Sequence, residues 1–340
     1  MKYQNSQNNN RVQCTICPRY CSLGDGQRGF CYVRQNINGR VTLTTYGYNT
    51  GLSIDPIEKK PLYHFLPGSS VLSFGTSGCN LGCRFCQNWQ ISHSKLDPSS
   101  LNYTSPEEIA QIAKRTNCRS VAFTYNDPVV FFEYAIDTAK ECHKLGIKTV
   151  AVTAGYINPE PRVEFFEHMN ATNIDLKAFS NEFYKKNSLI NIDPVLETIK
   201  YVATKTDCWV ELTTLLIEGE NDSDQELIEE CQWIKDNLGI NIPIHFSAFH
   251  PAYNFLNQNP TKLDTLLRAY NIAKKIGLNY VYTGNIMNPE TESTYCSNCG
   301  KKIISRQSYS LISADIDSDA QCIYCGTRCH GVFAVNMNNK

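Results

Sequence analysis

The stretch that decides the fold is SFGTSGCNLGCRFCQNWQ at positions 73–90, which places three cysteines in one loop directly after an apolar run. Cys79, Cys83 and Cys86 have the spacing C-x3-C-x2-C. Soft thiolates spaced this closely favour an iron-sulfur cluster or zinc. Three protein ligands leave one coordination position open for an exogenous molecule, whereas a knuckle completed by a distant cysteine or histidine would be structural. The spacing alone leaves both interpretations open.

Length, charge and cysteine content limit the class of protein. The chain has 340 residues, a net charge of -1 and 16 cysteines. This length suits one barrel-sized domain with small appendages. The near-neutral charge indicates no nucleic-acid partner, and no apolar run is long enough to span a membrane. Because the polar N-terminus lacks the apolar core of a signal peptide, we expect a cytoplasmic protein whose thiols bind metal rather than form disulfides.

Two further cysteine groups lie toward the ends of the chain. The first reads C-x2-C-x3-C-x9-C without a core-sized apolar pattern around it, which predicts four-thiolate ligation of zinc or of an auxiliary iron-sulfur cluster. The second contains two C-x2-C-G knuckles and predicts a zinc-ribbon or rubredoxin-like site whose metal the spacing does not reveal. Cys329 is surplus, either a spare thiol or an alternative ligand. The predicted ligands are Cys14, Cys17, Cys21 and Cys31 in the first group, and Cys296, Cys299, Cys322 and Cys325 in the second.

From position 71 onward, apolar strand-like runs alternate with amphipathic helical windows. Strict alternation of this kind predicts a parallel sheet covered by helices. In such folds, polar residues that follow the strands form the site. The predicted strands are 71–76, 120–125, 147–153, 172–177, 208–216 and 242–249. The predicted helices are 106–117, 129–145, 159–168, 194–205, 222–238 and 262–276.

Several motifs together resemble the radical S-adenosylmethionine (SAM) superfamily and, within it, the pyruvate formate-lyase-activating enzymes. More narrowly, the chain resembles the radical SAM member of the AmmeMemoRadiSam system, and the resemblance covers nearly the whole chain. The motifs are the three-cysteine loop, CTICPRYC (14–21), EKKPLYHFLPGS (58–69), TYNDPVVFFEY (124–134), DLK (175–177), VELTTLLIEGENDS (210–223) and CSNCG (296–300).

The resemblance implies an α/β fold, a partial (β/α)6 TIM-like barrel of radical SAM type with small cysteine-rich metal-binding segments at both ends. The expected parts are a disordered tail (1–10), an N-terminal cysteine-rich segment with a lead-in (11–70), the radical SAM core (71–290) and a C-terminal zinc-ribbon-like segment (291–340). Four lead-in residues either line the site or belong to a charged surface loop, namely Lys59, Lys60, Tyr63 and His64.

The resemblance also implies where cofactors bind. The three cysteines of the loop would hold a [4Fe-4S] cluster, whose free iron binds the amino and carboxylate groups of SAM. TYNDP replaces the family's Gly-Gly-Glu-Pro motif, which holds the SAM amino group, although an Asn/Asp-Pro pair that merely caps the next helix would look the same. The residues expected at the cofactors are Phe85, Gln87, Asn126, Asp127, Thr153, Asp175, Lys177, Thr213 and His250.

The implied activity is reductive cleavage of SAM to methionine and a 5'-deoxyadenosyl radical that abstracts hydrogen from an unidentified substrate. Kinship with activating enzymes favours a protein or peptide substrate. The implied partners are an electron donor such as ferredoxin or flavodoxin, and Memo-like and AMMECR-like proteins. Two alternatives stay open. One is a glycyl-radical enzyme activase proper, and the other is a zinc-knuckle binding protein in which all three cysteine groups are structural.

Overall fold

The structure, a computed structural model, describes residues 2–8, 10–93, 95 and 102–333. Its strands are β1 (Gln4–Ser6), β2 (Val12–Cys14), β3 (Ser22–Leu23), β4 (Arg34–Ile37), β5 (Arg40–Leu43), β6 (Tyr48–Asn49), β7 (Ser53–Pro56), β8 (Ser70–Phe74), β9 (Asn102–Tyr103), β10 (Ser120–Phe123), β11 (Lys148–Thr153), β12 (Ala171–Asp175), β13 (Trp209–Leu216), β14 (Ile244–Ala248), β15 (Val281–Gly284), β16 (Thr294–Tyr295), β17 (Lys302–Gln307) and β18 (Ser310–Ala314). Its α-helices are α1 (Trp89–Ser92), α2 (Pro106–Arg115), α3 (Phe132–Lys144), α4 (Pro159–Glu167), α5 (Asn181–Phe183), α6 (Asp193–Lys205), α7 (Asp224–Leu238), α8 (Leu263–Ile276) and α9 (Pro289–Glu292).

An eight-stranded sheet forms the centre of the molecule, in the order β7-β8-β10-β11-β12-β13-β14-β15. β7 pairs with β8 in the antiparallel sense, and every other neighbouring pair is parallel. The strand order follows the chain, and β7 and β15 are the two edges, so the sheet is an open, incomplete barrel. All parallel strands end at the same rim, which gathers the residues that follow them.

The sequence explains why these segments form strands and helices. All four residues of β10 are buried, as expected for a parallel strand that is covered on both faces. The helix α2 begins after Ser105, whose hydroxyl accepts a hydrogen bond from the Glu108 backbone N–H at 3.2 Å, and Pro106 occupies its first turn. Both features stabilise a helix N-terminus.

The predicted α/β fold is confirmed. Each predicted strand and helix of the core coincides with an observed one to within a few residues. The structure adds a seventh parallel strand, Val281–Gly284, which no sequence prediction covered because the run is short and directly follows a helix.

Within the segment predicted as a disordered tail (1–10), the described residues 2–8 and 10 include a β-strand. Gln4–Ser6 pairs with Val12–Cys14 as an antiparallel strand. The ring of Tyr3 is buried and lies 5.5 Å from the ring of Phe132 in an edge-to-face contact. This aromatic contact stabilises the segment, and the Asn/Gln-rich composition around it gave no sign of that.

The C-terminal cysteine-rich segment contains a separate three-stranded sheet, β16-β17-β18. It is attached to the lead-in through Arg306, a fully buried side chain whose guanidinium donates to the Tyr63 carbonyl oxygen at 2.6 Å. No helix in the described part of the chain combines the length and the apolar character that crossing a membrane requires.

Candidate active site

The three-cysteine loop follows β8 and is held in place by backbone hydrogen bonds. The Gly82 N–H donates to the Ser188 carbonyl at 2.9 Å, and the Gly78 N–H donates to the Ile91 carbonyl at 2.8 Å. Cys83 is buried, whereas Cys79 and Cys86 are partly exposed. Burial raises the pKa of Cys83 to about 11, so a metal that binds there must displace its proton.

The three thiols open into a cavity at the carboxyl rim of the parallel strands, with about 1090 Å³ of space that protein atoms do not fill. Eight of the nine residues expected at the cofactors line it, namely Phe85, Gln87, Asn126, Asp127, Thr153, Asp175, Lys177 and Thr213. His250 is exposed and instead lines an adjoining cavity of about 740 Å³. Gln87 and Asn285 line both cavities, which are therefore direct neighbours.

The side chain of Asn126 forms hydrogen bonds with the backbone of the loop that precedes Cys79. Its Oδ1 accepts from the Thr76 backbone N–H at 3.0 Å, and its Nδ2 donates to the Gly78 carbonyl at 2.6 Å. Asn126 is buried, so these bonds satisfy polar atoms that water does not reach. The geometry therefore makes Asn126 a positioning residue for the cysteine loop.

The carboxylate of Asp127 is occupied by protein donors. Oδ1 accepts from the Val129 N–H at 3.0 Å, and Oδ2 accepts from the Ala154 N–H at 2.9 Å. The Thr153 hydroxyl lies 3.0 and 3.1 Å from the two oxygens. Burial raises the pKa of Asp127, and these hydrogen bonds oppose the rise without cancelling it. Asp127 thus caps the helical turn that follows it, as one of the two interpretations predicted. Its hydrogen bonds to Thr153 and Ala154 also connect the end of β10 to the end of β11.

The preceding residue, Tyr125, has a φ of +71°. This left-handed region favours glycine, and a bulky residue there costs on the order of 1–3 kcal/mol. Tyr125 stands where the resembling motif has its first glycine, and its positive φ is one that a glycine adopts without strain. The hydroxyl of Tyr125 donates to Asp55 Oδ2 at 3.2 Å. A glycine at this position could not make this contact.

Asp175 and Lys177 form an ion pair on the wall of the cavity, with Lys177 Nζ 2.8 Å from Asp175 Oδ2. Burial disfavours the charged form of Lys177, but the adjacent Asp175 carboxylate overcomes this and raises the pKa of Lys177 above its ordinary value. Lys177 therefore stays a cation. The pair presents one positive and one negative group to whatever enters the cavity.

Thr213 shows that the cavity fits a polar ligand. Its Oγ1 is buried and lacks a hydrogen-bond partner among the described residues, yet the side chain lines the cavity. Other buried hydroxyls, such as those of Ser73 and Thr138, also lack a protein partner, but the Thr213 hydroxyl lines the cavity and is available to a ligand there. Three soft thiolates, an ion pair and an unpaired hydroxyl together fit an iron-sulfur cluster with a zwitterionic ligand beside it.

Comparison with known proteins assigns the family. Residues 74–231, which include the three-cysteine loop, match the model of the Radical SAM superfamily. An uncharacterized protein of Methanocaldococcus jannaschii is 42% identical over 321 residues, which cover 94% of this chain and 95% of that protein. The chain belongs to the radical SAM superfamily. Membership implies an enzyme that uses a [4Fe-4S] cluster and SAM.

Other relatives of this radical SAM protein match less of it. The 4-hydroxyphenylacetate decarboxylase activating enzyme of Clostridioides difficile is 26% identical over 180 residues, which cover 49% of this chain and 55% of that enzyme. Among solved structures, Streptococcus suis SuiB bound to precursor peptide SuiA superposes with a TM-score of 0.51 at 17% identity, over 71% of this chain and 55% of SuiB. The second likeness shows a shared fold.

The four lead-in candidates of this radical SAM protein do not act as one group. Lys59 lines the main cavity, and Tyr63 lines the adjoining one. Lys60 is buried, and its ammonium lies 2.8 Å from Asp55. His64 is fully buried, where its ring contacts the His330 carbonyl at 2.6 Å, and burial lowers its pKa to about 4. Half of the set is therefore structural.

Sequence reasoning missed several lining residues, among them Ser247 and Asn285. Ser247 lies near the carboxyl end of β14, and Asn285 directly follows β15. The rule that site residues follow strands would have found Asn285, had the seventh strand been predicted. Ser247 lies inside a predicted strand, where alternation of faces was the available signal.

The second terminal group of cysteines converges as predicted. The sulfur atoms of Cys296, Cys299, Cys322 and Cys325 all lie within 4.8 Å of one another. Cys329 lies outside this group, buried, with its sulfur 3.9 Å from His64 Nδ1. The surplus thiol is therefore a core side chain beneath the metal-binding group.

Proposed function

We propose that this protein cleaves SAM reductively and uses the resulting 5'-deoxyadenosyl radical to abstract hydrogen from a substrate. One observation carries the proposal: the three thiols share a single cavity with the Asp175–Lys177 pair and the unpaired hydroxyl of Thr213. A [4Fe-4S] cluster at the thiols would supply the electron for the cleavage and an open iron for the amino and carboxylate groups of SAM.

The chain's own residues bind and orient SAM in this proposal. The Lys177 ammonium complements the SAM carboxylate, and the Asp175 carboxylate accepts from ribose hydroxyls. Thr213 Oγ1 gains in SAM the hydrogen-bond partner that it lacks. Asp127 contributes indirectly, because its hydrogen bonds to β11 hold Thr153 and Ala154 at the cavity wall. No side chain acts as a general acid or base.

The cleft favours a protein or peptide substrate. The adjoining cavity shares Gln87 and Asn285 with the SAM cavity and is also lined by Met287 and Tyr309, which are 63% and 39% exposed. An open, partly apolar extension suits a peptide segment better than a small enclosed metabolite. The similarity to a decarboxylase activating enzyme favours glycyl-radical activation as a second candidate function. Memo-like and AMMECR-like proteins are the partners we propose to test as substrates.

The test is anaerobic reconstitution with iron and sulfide, followed by measurement of 5'-deoxyadenosine and methionine after addition of dithionite and SAM. The wild-type protein should form both products. Cys79→Ala, Cys83→Ala and Cys86→Ala should each abolish product formation, because each thiolate binds one iron. Cys118→Ala, which removes a buried thiol outside every cysteine group, is the control and should keep the activity. Product formation in any of the three loop variants would refute the proposal.

A further inference from the structure

The N-terminal cysteines line a second cavity, separate from the site described above. Cys14, Cys17, Cys21 and Cys31 surround it, and the space between these residues, about 370 Å³, is partly open to solvent. The remaining wall is largely apolar and includes Ile16, Val129 and Val130. Four thiols that face one enclosed space predict a metal centre with four cysteine ligands.

Sulfur spacing distinguishes the two terminal groups. A tetrahedral zinc ion with Zn–S bonds of about 2.3 Å holds its sulfurs about 3.8 Å apart. The C-terminal group meets this requirement, with Cys296 and Cys325 sulfurs 3.5 Å apart and Cys299 and Cys322 sulfurs 3.8 Å apart. Among residues 2–8, 10–93, 95 and 102–333, no other set of three possible ligands comes within 4.8 Å of one another.

The N-terminal thiols are therefore spaced too widely for one zinc ion, although they share a cavity. The sulfurs of the three-cysteine loop, whose family implies a [4Fe-4S] cluster, likewise do not all lie within 4.8 Å of one another. In a cubane cluster each thiolate binds a different iron, so the sulfurs lie around a larger object than a single ion. The N-terminal group thus resembles the cluster loop and differs from the zinc-sized group at the other end of the chain.

The charge around the N-terminal cavity suits an anionic centre. Arg34 lines the cavity, and its side chain is buried. It is oriented by Glu133, with a donor-acceptor distance of 2.8 Å, and by the Val130 carbonyl at 3.1 Å. Four thiolates around iron and sulfide carry net negative charge, which the Arg34 guanidinium offsets in part, although Glu133 pairs with the same guanidinium.

The two cavities adjoin each other through the backbone. Gly78, which precedes the first loop cysteine, has a φ of +80°, and a Cβ at this position would lie 2.1 Å from the carbonyl oxygen of Cys31. Asn80 lines the N-terminal cavity, whereas its neighbour Cys79 lines the SAM cavity. Cys17 and Cys21 are partly exposed, so this group lies between the surface and the SAM site.

We propose that Cys14, Cys17, Cys21 and Cys31 bind an auxiliary [4Fe-4S] cluster that passes single electrons to the SAM site. A reduced one-electron carrier protein of the ferredoxin or flavodoxin class gives up one electron, and the auxiliary cluster accepts it. The auxiliary cluster then returns to its oxidised state when it gives the electron to the cluster at Cys79, Cys83 and Cys86. No bond is formed or broken at the four thiolates, and no proton moves there.

The first test removes the SAM-site cluster and leaves the N-terminal group intact. The triple variant Cys79→Ala/Cys83→Ala/Cys86→Ala, reconstituted anaerobically, should keep about four irons per chain, against about eight in the wild type. Its dithionite-reduced form should give an electron paramagnetic resonance signal. A triple variant without iron, and with about two zinc ions per chain, would overturn the proposal. This outcome is independent of SAM cleavage, which the triple variant cannot perform.

The second test measures the electron path. The double variant Cys17→Ser/Cys21→Ser should lose about four irons. SAM cleavage is then measured with reduced flavodoxin and with dithionite, a small reductant that reaches the site directly. The ratio of the flavodoxin rate to the dithionite rate should fall roughly tenfold relative to the wild type and to the Cys118→Ala control. An unchanged ratio would overturn the electron-transfer role.

Discussion

Lys177 donates a hydrogen bond to Asp175 across 2.8 Å at the carboxyl end of β12, on the wall of the cavity that also receives the three loop thiols. Alternation along a strand places residues two apart on the same face. The pair is partly buried rather than exposed, with 14% of the Lys177 side chain and 34% of the Asp175 side chain accessible. It is therefore a fixed pair of opposite charges at the cavity.

The first prediction concerns SAM affinity. Asp175→Ala and Lys177→Ala should each raise the dissociation constant of SAM roughly tenfold or more, because each removes a charge-assisted hydrogen bond. Iron content should stay at the wild-type level, since neither side chain is a thiolate ligand. Equilibrium binding and iron analysis measure the two effects. Lys144→Ala, which removes an exposed ion pair on α3, is the matched control. Wild-type SAM affinity in both site variants would make the pair structural.

The second prediction concerns Asn126 as a positioning residue. Asn126→Ala removes the hydrogen bonds to the Thr76 N–H and the Gly78 carbonyl and leaves both groups buried, which should lower the free energy of unfolding by roughly 3 kcal/mol. The loosened loop should also lose its cluster faster in air, measured as bleaching of the visible absorbance. Asn237→Ala, at a partly exposed amide on α7 far from the cysteine loop in sequence, should leave the bleaching rate unchanged. Wild-type bleaching in Asn126→Ala would contradict the assignment.

The third prediction concerns the C-terminal metal. The purified chain should contain about one zinc ion bound by Cys296, Cys299, Cys322 and Cys325, because the spacing of their sulfurs matches a tetrahedral site. Cys325→Ser should release the zinc, whereas Cys329→Ser should retain it. Metal analysis of the two variants decides between the ligand sets. Release of zinc by Cys329→Ser alone would show that the surplus thiol is a ligand.

The fourth prediction concerns pH and the buried Glu230 of α7, to which the Thr214 hydroxyl of β13 donates. Burial raises the pKa of Glu230 from 4.5 to about 8. Between these values the folded state keeps a proton that the unfolded state has lost, so the free energy of unfolding falls as the pH rises. A shift of this size corresponds to roughly 5 kcal/mol.

Glu230→Gln replaces the titrating carboxyl with a neutral amide and should remove this pH dependence. Urea unfolding at about pH 4.5 and about pH 8 measures the free energy of unfolding at the two ends of this range. Glu229→Gln, at an exposed position of the same helix, should keep the wild-type dependence. An equal slope in Glu230→Gln and the wild type would mean that another group causes it.

The parts of the site that could be predicted from sequence depend on local pattern. The spacing of Cys79, Cys83 and Cys86 and the pairing of Asp175 with Lys177 follow from chain positions a few residues apart, and both appear as predicted in the cavity. The helix cap formed by Asp127 was one of the two predicted interpretations, but its contacts with β11 could not be predicted. Whether its carboxylate is free for a ligand depends on donors from Thr153 and Ala154, which only the packing of two strands brings close.

The sequence by itself determined the alternation of strands and helices and therefore the parallel sheet, because hydrophobic periodicity is a property of the chain. It also determined which cysteines belong to each group. Tertiary structure alone decided how far apart the sulfurs lie, which separates the zinc-sized C-terminal group from the wider N-terminal one. The reason is physical: spacing along the chain limits which thiols can meet, but the distance between them depends on the turns and neighbours that hold each backbone segment.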